Sequence, residues 1–330
     1  MEQPIKAVIT GGTGFVGSHV VEEFLRNGMK VTCLLRLGRK DTSWLSGLPV
    51  EIAYASLTDS ASLAPIVADA DYVVHVAGTT KAVKNSDYRV GNVETTRALL
   101  QALDGSRALR KFCLVSSLTA AGPSPGPQPI DETVPPHPLT PYGISKRAAE
   151  DLCLAVAEKM PIVIVRPPAV FGPRDRDILH LFRSASFGVF PFTGPRDKEL
   201  SLIHARDLAA ALFQTTVHPE TAGKTYFAAN EQPYLMRDVV QNIGALMGKR
   251  VLTIPVPRWT AFGLSALSQL ALRPFGKPAV LSFGKVIDLY EPRWTCDPGR
   301  MYREVGFRSQ IPLKEGLRDT IEWYREHHWI

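Results

Sequence analysis

A tyrosine, a lysine and a serine in the middle of the chain have the types and spacing that proton transfer requires. Tyr142 and Lys146 stand four residues apart in the segment PYGISK, and on a helix positions i and i+4 share a face. The lysine charge would then lower the pKa of the tyrosine from about 10 towards neutrality. Ser117 follows a strand-like segment, where its hydroxyl would hydrogen-bond the same substrate oxygen. These residues predict a site that exchanges a proton with a hydroxyl or carbonyl group.

A glycine-rich turn near the N-terminus predicts a phosphate-binding site. The strand-like segment 5–10 ends in TGGTGFVG, whose glycines have the spacing GxxGxxG, and a helical pattern follows. Glycines at these points allow a tight turn, close approach of backbone amides to a pyrophosphate, and packing of the helix on the sheet. A nicotinamide dinucleotide held there would exchange the hydride while the tyrosine exchanges the proton. The predicted contacts are Gly11, Thr13, Gly14, Phe15, Val16 and Gly17.

The end of the second strand-like segment, 30–36, bears on the choice of dinucleotide. Sites that take NAD usually carry an acidic residue at this point, where it binds the ribose hydroxyls. Here the segment ends in Arg36, and Arg39 and Lys40 follow closely. A guanidinium forms paired hydrogen bonds with a 2′-phosphate, which an acid would repel. We therefore predict NADP(H), with NAD(H) as the alternative because Asp41 is near enough to swing in.

The elements that must position these residues alternate between strand-like and helical patterns. Short apolar, β-branched segments separated by helical periodicity indicate a parallel sheet covered on both faces, and right-handed crossovers make it doubly wound. The strand-like segments are 5–10, 30–36, 50–54, 71–76, 111–116 and 161–166, and the helical ones are 14–27, 60–68, 88–103 and 142–158. The sequence thus predicts a Rossmann-type α/β fold.

After residue 166 the pattern loosens, and the chain becomes rich in Pro, Gly and Phe before it turns mostly helical. Helices are expected at 178–184 and 206–216, with strands at 224–229 and near 251–254. We predict a dinucleotide-binding domain of residues 1–166 with about 204–229, and a smaller, mostly helical substrate-binding region of residues 167–203 and 230–330. The smaller region should cover the carboxyl edge of the sheet, where open α/β sheets bind ligands.

The composition is that of an ordinary globular protein and argues against several function classes. The 330 residues are 45% hydrophobic and 21% charged, which argues against disorder. The net charge of +6 includes no run of five like charges, so no nucleic-acid partner is predicted. Cys33, Cys113, Cys153 and Cys296 lie far apart and are expected to be free core thiols in a reducing compartment, with no metal site. Because residues 1–6 leave no room for a signal peptide and no apolar stretch could span a membrane, a cytoplasmic location is expected.

Several segments resemble motifs of the extended short-chain dehydrogenase/reductase family, part of the NAD-dependent epimerase/dehydratase superfamily. They cover nearly the whole chain: TGGTGFVG, DYVVHVAG, GNVETTRALLQA, SSLTAAG, YGISK, RPPAVFGP and IHARDLAAA. The resemblance implies a Rossmann-type domain, a nicotinamide cofactor, and catalytic roles for Ser117, Tyr142 and Lys146. Lys146 would also hold the nicotinamide ribose.

The resemblance further implies where the rest of the cofactor binds. Backbone near Ala77 and Gly78, together with Pro167, would line it. Where members commonly have Gly-Asp-Leu facing the adenine, this chain reads Ala-Ser-Leu at 55–57, ending in Ser56 and Leu57. Without the carboxylate, the adenine would be held by backbone or by Ser56.

Three reaction classes of this family can be separated by residues around the site. Dehydratases usually place Asp-Glu directly after the catalytic hydroxyl residue, whereas Leu-Thr follows Ser117 here. Nucleotide-sugar 4-epimerases usually carry an Asn in the segment matching RPPAVFGP, which has none, although Arg174 and Arg176 could bind a phosphate. The chain looks most like 3β-hydroxysteroid dehydrogenases and dihydroflavonol reductases. We therefore expect an NAD(P)-dependent oxidoreductase that interconverts a secondary alcohol and a ketone, with a nucleotide-sugar 4-epimerase or a non-catalytic NAD(P)-sensing protein as alternatives.

An apolar segment near the C-terminus indicates a hydrophobic substrate, of which a sterol would be an example. Steroid-handling relatives use a comparable segment to cover an apolar molecule, and some touch membranes, so peripheral membrane contact stays open for this chain. The alternative is that the segment forms the core of the smaller region or a dimer contact. Relatives commonly dimerise through helices matching 88–103 and 142–158, so a homodimer is expected. The segment contains Trp259, Phe262, Leu264, Leu267, Leu270, Leu272, Phe275 and residues 281–283.

Overall fold

The computed structural model describes residues 4–272 and 282–330, so Phe275 and Leu281 of the apolar segment lie outside the described residues. In the first half the elements are β1 (Lys6–Thr10), α1 (Phe15–Arg26), β2 (Lys30–Arg36), β3 (Val50–Ala55), α2 (Ser60–Val67), β4 (Tyr72–His75), α3 (Asn85–Tyr88), α4 (Thr95–Ala102), β5 (Lys111–Val115), α5 (Leu118–Ala121), α6 (Pro141–Val156) and β6 (Ile162–Arg166).

The second half contains shorter strands and more helix. Its elements are β7 (Ala169–Phe171), α7 (Leu179–Ser186), β8 (Val189–Phe192), β9 (Glu199–Leu200), β10 (Leu202–His204), α8 (Ala205–Val217), β11 (Lys224–Phe227), β12 (Tyr234–Leu235), α9 (Met236–Leu246), β13 (Leu252–Pro255), α10 (Arg258–Leu272), α11 (Phe283–Tyr290), β14 (Arg293–Trp294), α12 (Gly299–Glu304) and α13 (Leu313–Glu326). Among the described helices, none combines the length and the apolar character needed to cross a membrane.

Seven strands form one parallel sheet in the order β11-β6-β5-β4-β1-β2-β3. Thr10, the last residue of β1, is level with Leu34 of β2 and with His75 of β4. The strand order reverses at β1, so the carboxyl ends of β1 and β4 border the crevice in which doubly wound sheets bind ligands. The predicted Rossmann-type fold is confirmed.

Two helical layers cover the sheet and bury its apolar strands. On one face α1 packs against α8, with Phe24 and Leu212 fully buried in the same cluster as the strands. The other face carries α2, α4 and α6, and its cluster includes Leu99 and Cys153. All four cysteines are buried and unpaired, as predicted.

The predicted helix at 88–103 is interrupted. α3 is followed by a π-helical turn, Arg89–Glu94, before α4 begins. In the second half, α7, α9 and α13 share an apolar cluster of their own, and β8 pairs with β13. The division of the chain into two domains stays a prediction.

Candidate active site

The glycine turn joins β1 to α1 and reaches the end of β4. Gly11 has a φ of +74°, in the left-handed region that favours glycine, and a Cβ there would lie 2.7 Å from Ala77 N. A Cβ on Gly17 would lie 2.0 Å from Gly11 O, so only glycine lets α1 start this close to the turn. Gly14 caps α1, so the N-cap residue makes no side-chain hydrogen bond to the first turn of the helix. Its backbone N–H groups therefore remain available to a pyrophosphate.

The segment after β4 is held by Asn92, which lies in the π-helical turn. Its Oδ1 accepts a hydrogen bond from Thr79 N at 2.8 Å, and its Nδ2 donates to Thr79 O at 3.1 Å and to Ser145 Oγ at 2.7 Å. π turns are frequent at functional sites because they redirect a side chain out of the regular helix. Sequence reasoning included Asn92 only within a family motif and gave it no role, since nothing in the helical pattern marked the π turn.

Lys146 lies beside this same segment. Its side chain is buried, and Nζ donates to Val115 O, at the end of β5, over 2.6 Å. A Cβ on Gly78 would lie 3.7 Å from Lys146 Nζ and 2.8 Å from Asn92 Oδ1. Burial lowers the pKa of Lys146 to about 8, which still leaves most of the amine charged at neutral pH.

Ser117 and Tyr142 are brought together by the packing of α5 against α6. Ser117 caps α5: its Oγ accepts from Thr119 N at 3.2 Å and from Thr119 Oγ1 at 2.9 Å. Its side chain also lies close enough to the Tyr142 phenol to lower the pKa of that phenol. Tyr142 follows the first residue of α6, a helix that Thr140 caps through Gly143 N. A Cβ on Gly143 would lie 2.4 Å from Thr119 O, so this glycine permits the close approach of the two helices.

The pKa of Tyr142 is raised, which corrects the expectation from the sequence. Burial raises it to about 12, and the neighbouring Ser117 hydroxyl acts in the opposite direction. The expected lowering by Lys146 is not found because the ammonium hydrogen-bonds Val115 O while burial disfavours the phenolate. The phenol is therefore protonated at neutral pH, in the form of a general acid.

A groove of about 730 Å³ runs from the start of α1 to these side chains, while the predicted contacts Gly11, Thr13, Gly14 and Gly17 are not among the described residues that line it. Phe15 and Val16, at the start of α1, line one part of it, and Tyr142 and Lys146 line another. A dinucleotide fits the combination of three features: the groove, the N-terminus of α1, and the close approach of Gly11 to Ala77. Its lining also includes Gly78, Ser117 and Pro167.

A second cavity of about 340 Å³ meets the groove at Ser117 and Thr119. Its lining is predominantly apolar, with contributions from Phe171, Phe182 and Leu200. Small-molecule pockets commonly combine such apolar walls with a few polar groups. The arrangement can hold an apolar molecule with its reacting oxygen at Ser117.

The profile of the NAD dependent epimerase/dehydratase family matches residues 7–229. The chain belongs to this family. Members of the family and its relatives are NAD-dependent reductases, epimerases and dehydratases, so the protein is an enzyme with an NAD-type cofactor.

Two curated relatives and one solved structure match this family member over nearly its whole length. The ceramide reductase of Caulobacter vibrioides is 29% identical over 98% of this chain and 95% of its own. The 2-alkyl-3-oxoalkanoate reductase of Stenotrophomonas maltophilia is 27% identical over 95% and 98%. The UDP-glucose 4-epimerase of Thermotoga maritima, solved with UDP-glucose, superposes with a TM-score of 0.80 at 19% identity, covering 98% of this chain and all of that one. The last likeness concerns the fold.

The remaining predicted cofactor contacts of this family member lie on the β2–β3 side of the glycine turn. Arg36 is exposed at the carboxyl end of β2, two residues beyond the level of Thr10. Arg39 Nε donates to Asp41 O at 3.1 Å. Ser56 and Leu57 follow β3 and are half-buried. Among the described residues, none of these four lines the groove that contains Tyr142.

Proposed function

We propose that the protein is an NADP(H)-dependent reductase that interconverts a ketone and a secondary alcohol on a hydrophobic substrate. The observation that carries this proposal is the placement of the Tyr142 phenol, which is protonated at neutral pH, beside Ser117, where an apolar cavity meets the groove. The bound dinucleotide would supply the hydride. Tyr142 would donate its proton to the substrate oxygen, and the Ser117 hydroxyl would hold that oxygen as charge develops on it.

Lys146 would support this transfer in two ways. Its position beside Gly78 is suited to holding the nicotinamide ribose, and its charge would stabilise the phenolate left after the proton has moved. Glu150, one helical turn along α6, favours the charged form of this amine.

The cavity supports an apolar substrate that also carries a polar group. Its charged lining residues are Lys198, Lys285 and Asp288. Burial lowers the pKa of Lys198 to about 8 and raises that of Asp288 to about 6. Among the described residues Asp288 Oδ1 has no hydrogen-bond partner, although Asp288 lines both the cavity and the groove. A polar substituent near the reacting carbonyl of the substrate would hydrogen-bond Asp288 Oδ1. The lipid in the name of the ceramide reductase is one candidate for such a substrate. A sterol ketone is the more rigid alternative.

The nucleotide-sugar alternative receives less support from the two arginines on which it depended. Arg174 Nη2 donates to Glu22 Oε1 at 2.5 Å, and its guanidinium lies over the ring of Trp44. The guanidinium of Arg176 lies 5.0 Å from the ring centroid of Trp329. In the described parts of the chain, neither lines the groove or the cavity, so neither is placed to bind a sugar diphosphate there.

The preference for NADP(H) is supported by the local hydrogen bonds of Asp41, whose carboxylate would favour NAD(H) if it bound the ribose. Asp41 Oδ1 accepts from Ser43 N at 3.2 Å and from Ser43 Oγ at 2.8 Å, so this carboxylate already has local partners, and these hydrogen bonds lower its pKa. We expect NADPH to bind about tenfold or more tightly than NADH, because two cations can meet the 2′-phosphate. In the variant R36A/R39A this preference should disappear while the dissociation constant of NADH stays unchanged.

Fluorescence titration with both dinucleotides measures this preference, and R89A, which removes an exposed arginine elsewhere, is the matched control. Wild-type protein that binds NADH as tightly as NADPH would refute the assignment.

Tyr142→Phe tests the reaction itself. The variant should keep its affinity for the dinucleotide but lose about 10²- to 10⁴-fold in kcat, because the proton donor is gone. Tyr88→Phe is the matched control, since the rings of Tyr88 and Tyr142 lie 6.1 Å apart in the same groove.

The substrate class is tested by thermal-shift and turnover assays with a steroid ketone, a long-chain hydroxyketone and UDP-glucose in the presence of NADPH. In these turnover assays, near-normal turnover by Tyr142→Phe would contradict the proposed role of Tyr142 as the proton donor. Stabilisation by UDP-glucose alone would favour the epimerase.

A further inference from the structure

α10 has its apolar face turned outward. Trp259, Leu264, Leu267 and Leu270 are 76%, 58%, 65% and 71% exposed. A single exposed leucine is ordinary in a folded protein, but these residues follow one another along one side of a helix. The sequence has no charged residue between 259 and 272 to interrupt that side.

The inward face of the same helix carries polar residues beside the buried Ala261 and the half-buried Phe262. Ser265 is fully buried, and its Oγ accepts from Gln269 Nε2 at 3.0 Å. Ser268 Oγ donates to Ser265 O, and Gln269 also lines the groove. A helix on the surface of a water-soluble domain normally has the opposite arrangement, with apolar residues towards the core. The predicted alternative in which Trp259 and these leucines form the core of the smaller region is therefore wrong.

In the sequence, the net charge of the chain is concentrated in the stretch that contains this helix. Residues 239–287 contain no Asp or Glu but six basic residues, so this stretch accounts for the whole net charge of +6 and the rest of the chain is balanced. Lys249, Arg250 and Arg258, which precede or begin α10, are exposed. A second copy of the chain on this face would bring like charges together, whereas an anionic surface would be attracted.

We propose that α10 docks the protein on an anionic lipid bilayer. The helix lies in the plane of the interface, with the leucines among the acyl chains and Trp259 at the level of the headgroups. Lys249, Arg250 and Arg258 face the lipid phosphates. Because α10 packs against α11, and Phe283 of α11 lines the groove, the docked enzyme would take an apolar substrate directly from the membrane. That consequence rests on the proposed function, but the docking itself does not.

Vesicle flotation with the full-length protein tests the docking without any turnover. Vesicles of phosphatidylcholine alone are compared with vesicles containing about one-third phosphatidylglycerol. We expect binding to the anionic vesicles that weakens as NaCl is raised, since the cations act through a screened potential. The variant L267S/L270S should lower the vesicle partition coefficient about tenfold or more, because two exposed apolar side chains are lost.

The matched control is I52S/Y54S, which removes two exposed apolar side chains from β3, at the far edge of the sheet, and should bind vesicles like the wild type. The dissociation constant of NADPH, unchanged in L267S/L270S, shows that this variant is folded. Equal vesicle binding by wild type and L267S/L270S, or no binding by the wild type, overturns the proposal. If the wild type does not bind vesicles but forms a dimer, and L267S/L270S is monomeric, the exposed face of α10 is instead an interface with a second copy of the chain.

Discussion

Gly143→Ala is expected to disconnect Ser117 from Tyr142 while leaving the cofactor site intact. The added Cβ would lie 2.4 Å from Thr119 O, where ordinary contacts begin at 3.4 Å. Because the obstructing atom belongs to the backbone, α5 and α6 must separate by about 1 Å. A displacement of that size between reacting groups costs about 10²-fold in rate, and we expect kcat/KM to fall by about that factor.

The dissociation constant of NADPH separates this effect from general unfolding. The glycine turn and Gly78 lie on other elements, and of the proposed cofactor contacts only those of Tyr142 and Lys146 are on α6. NADPH affinity should therefore change far less than kcat/KM. Overpacking should lower the free energy of unfolding of Gly143→Ala by about 1–3 kcal/mol, and the better helix propensity of alanine should restore about 1 kcal/mol of that loss. Gly263→Ala is the matched control, since this helical glycine has no described atom within 4 Å of a built Cβ. If Gly143→Ala keeps kcat/KM within about threefold of the wild type, the close packing of α5 on α6 does not position the catalytic pair.

Two further predictions concern buried charges. Glu150→Gln should lower the free energy of unfolding by about 3 kcal/mol or more in urea titrations, because it leaves Arg166, now paired at 2.8 and 2.7 Å, as an uncompensated buried cation; Glu94→Gln, at a more exposed pair, should cost less than about 1 kcal/mol. Burial raises the pKa of Asp175 to about 7 from 3.8, so the folded chain keeps a proton that the unfolded chain releases. This contribution to stability is complete below pH 4 and is lost as pH rises to 7. Asp175→Asn should flatten that part of the urea-midpoint profile, and an unchanged slope would contradict the buried protonated acid.

The sheet could be predicted from the sequence because most of its strands are short, buried, apolar runs; β3, at the edge, is the more exposed exception. The second strand is found at Lys30–Arg36, where the pattern placed it, and α8 extends one residue beyond each end of the predicted 206–216. Parallel strands covered on both faces leave a continuous apolar signal that a single sequence displays. The glycine spacing and the pair Tyr142 and Lys146 were equally visible, since both depend on local periodicity.

The energetics of the site could not be predicted in the same way. The pKa of Tyr142 depends on how deeply α6 is buried and on which acceptor Lys146 finds, and both are set by tertiary packing. Asn92 was given no role because no sequence pattern marked the π turn that places its side chain against Thr79. Nothing in the sequence marks Gly143, which follows Tyr142, as important. In the structure, Thr119 O lies so close that any side chain at position 143 would push α5 and α6 apart.

The orientation of α10 could not be predicted from the sequence either, because it also depends on tertiary packing. A run with Trp259 and several leucines marks an apolar helix, but periodicity alone does not say whether its apolar arc faces protein, lipid or a second copy. The deciding residues are the unremarkable ones: Ser265 is buried while Leu264 and Leu267, its near neighbours, are exposed. A helix that buries serine and exposes leucine supports the proposed docking on an apolar surface, and the absence of acidic residues from 239 to 287 supports an anionic one.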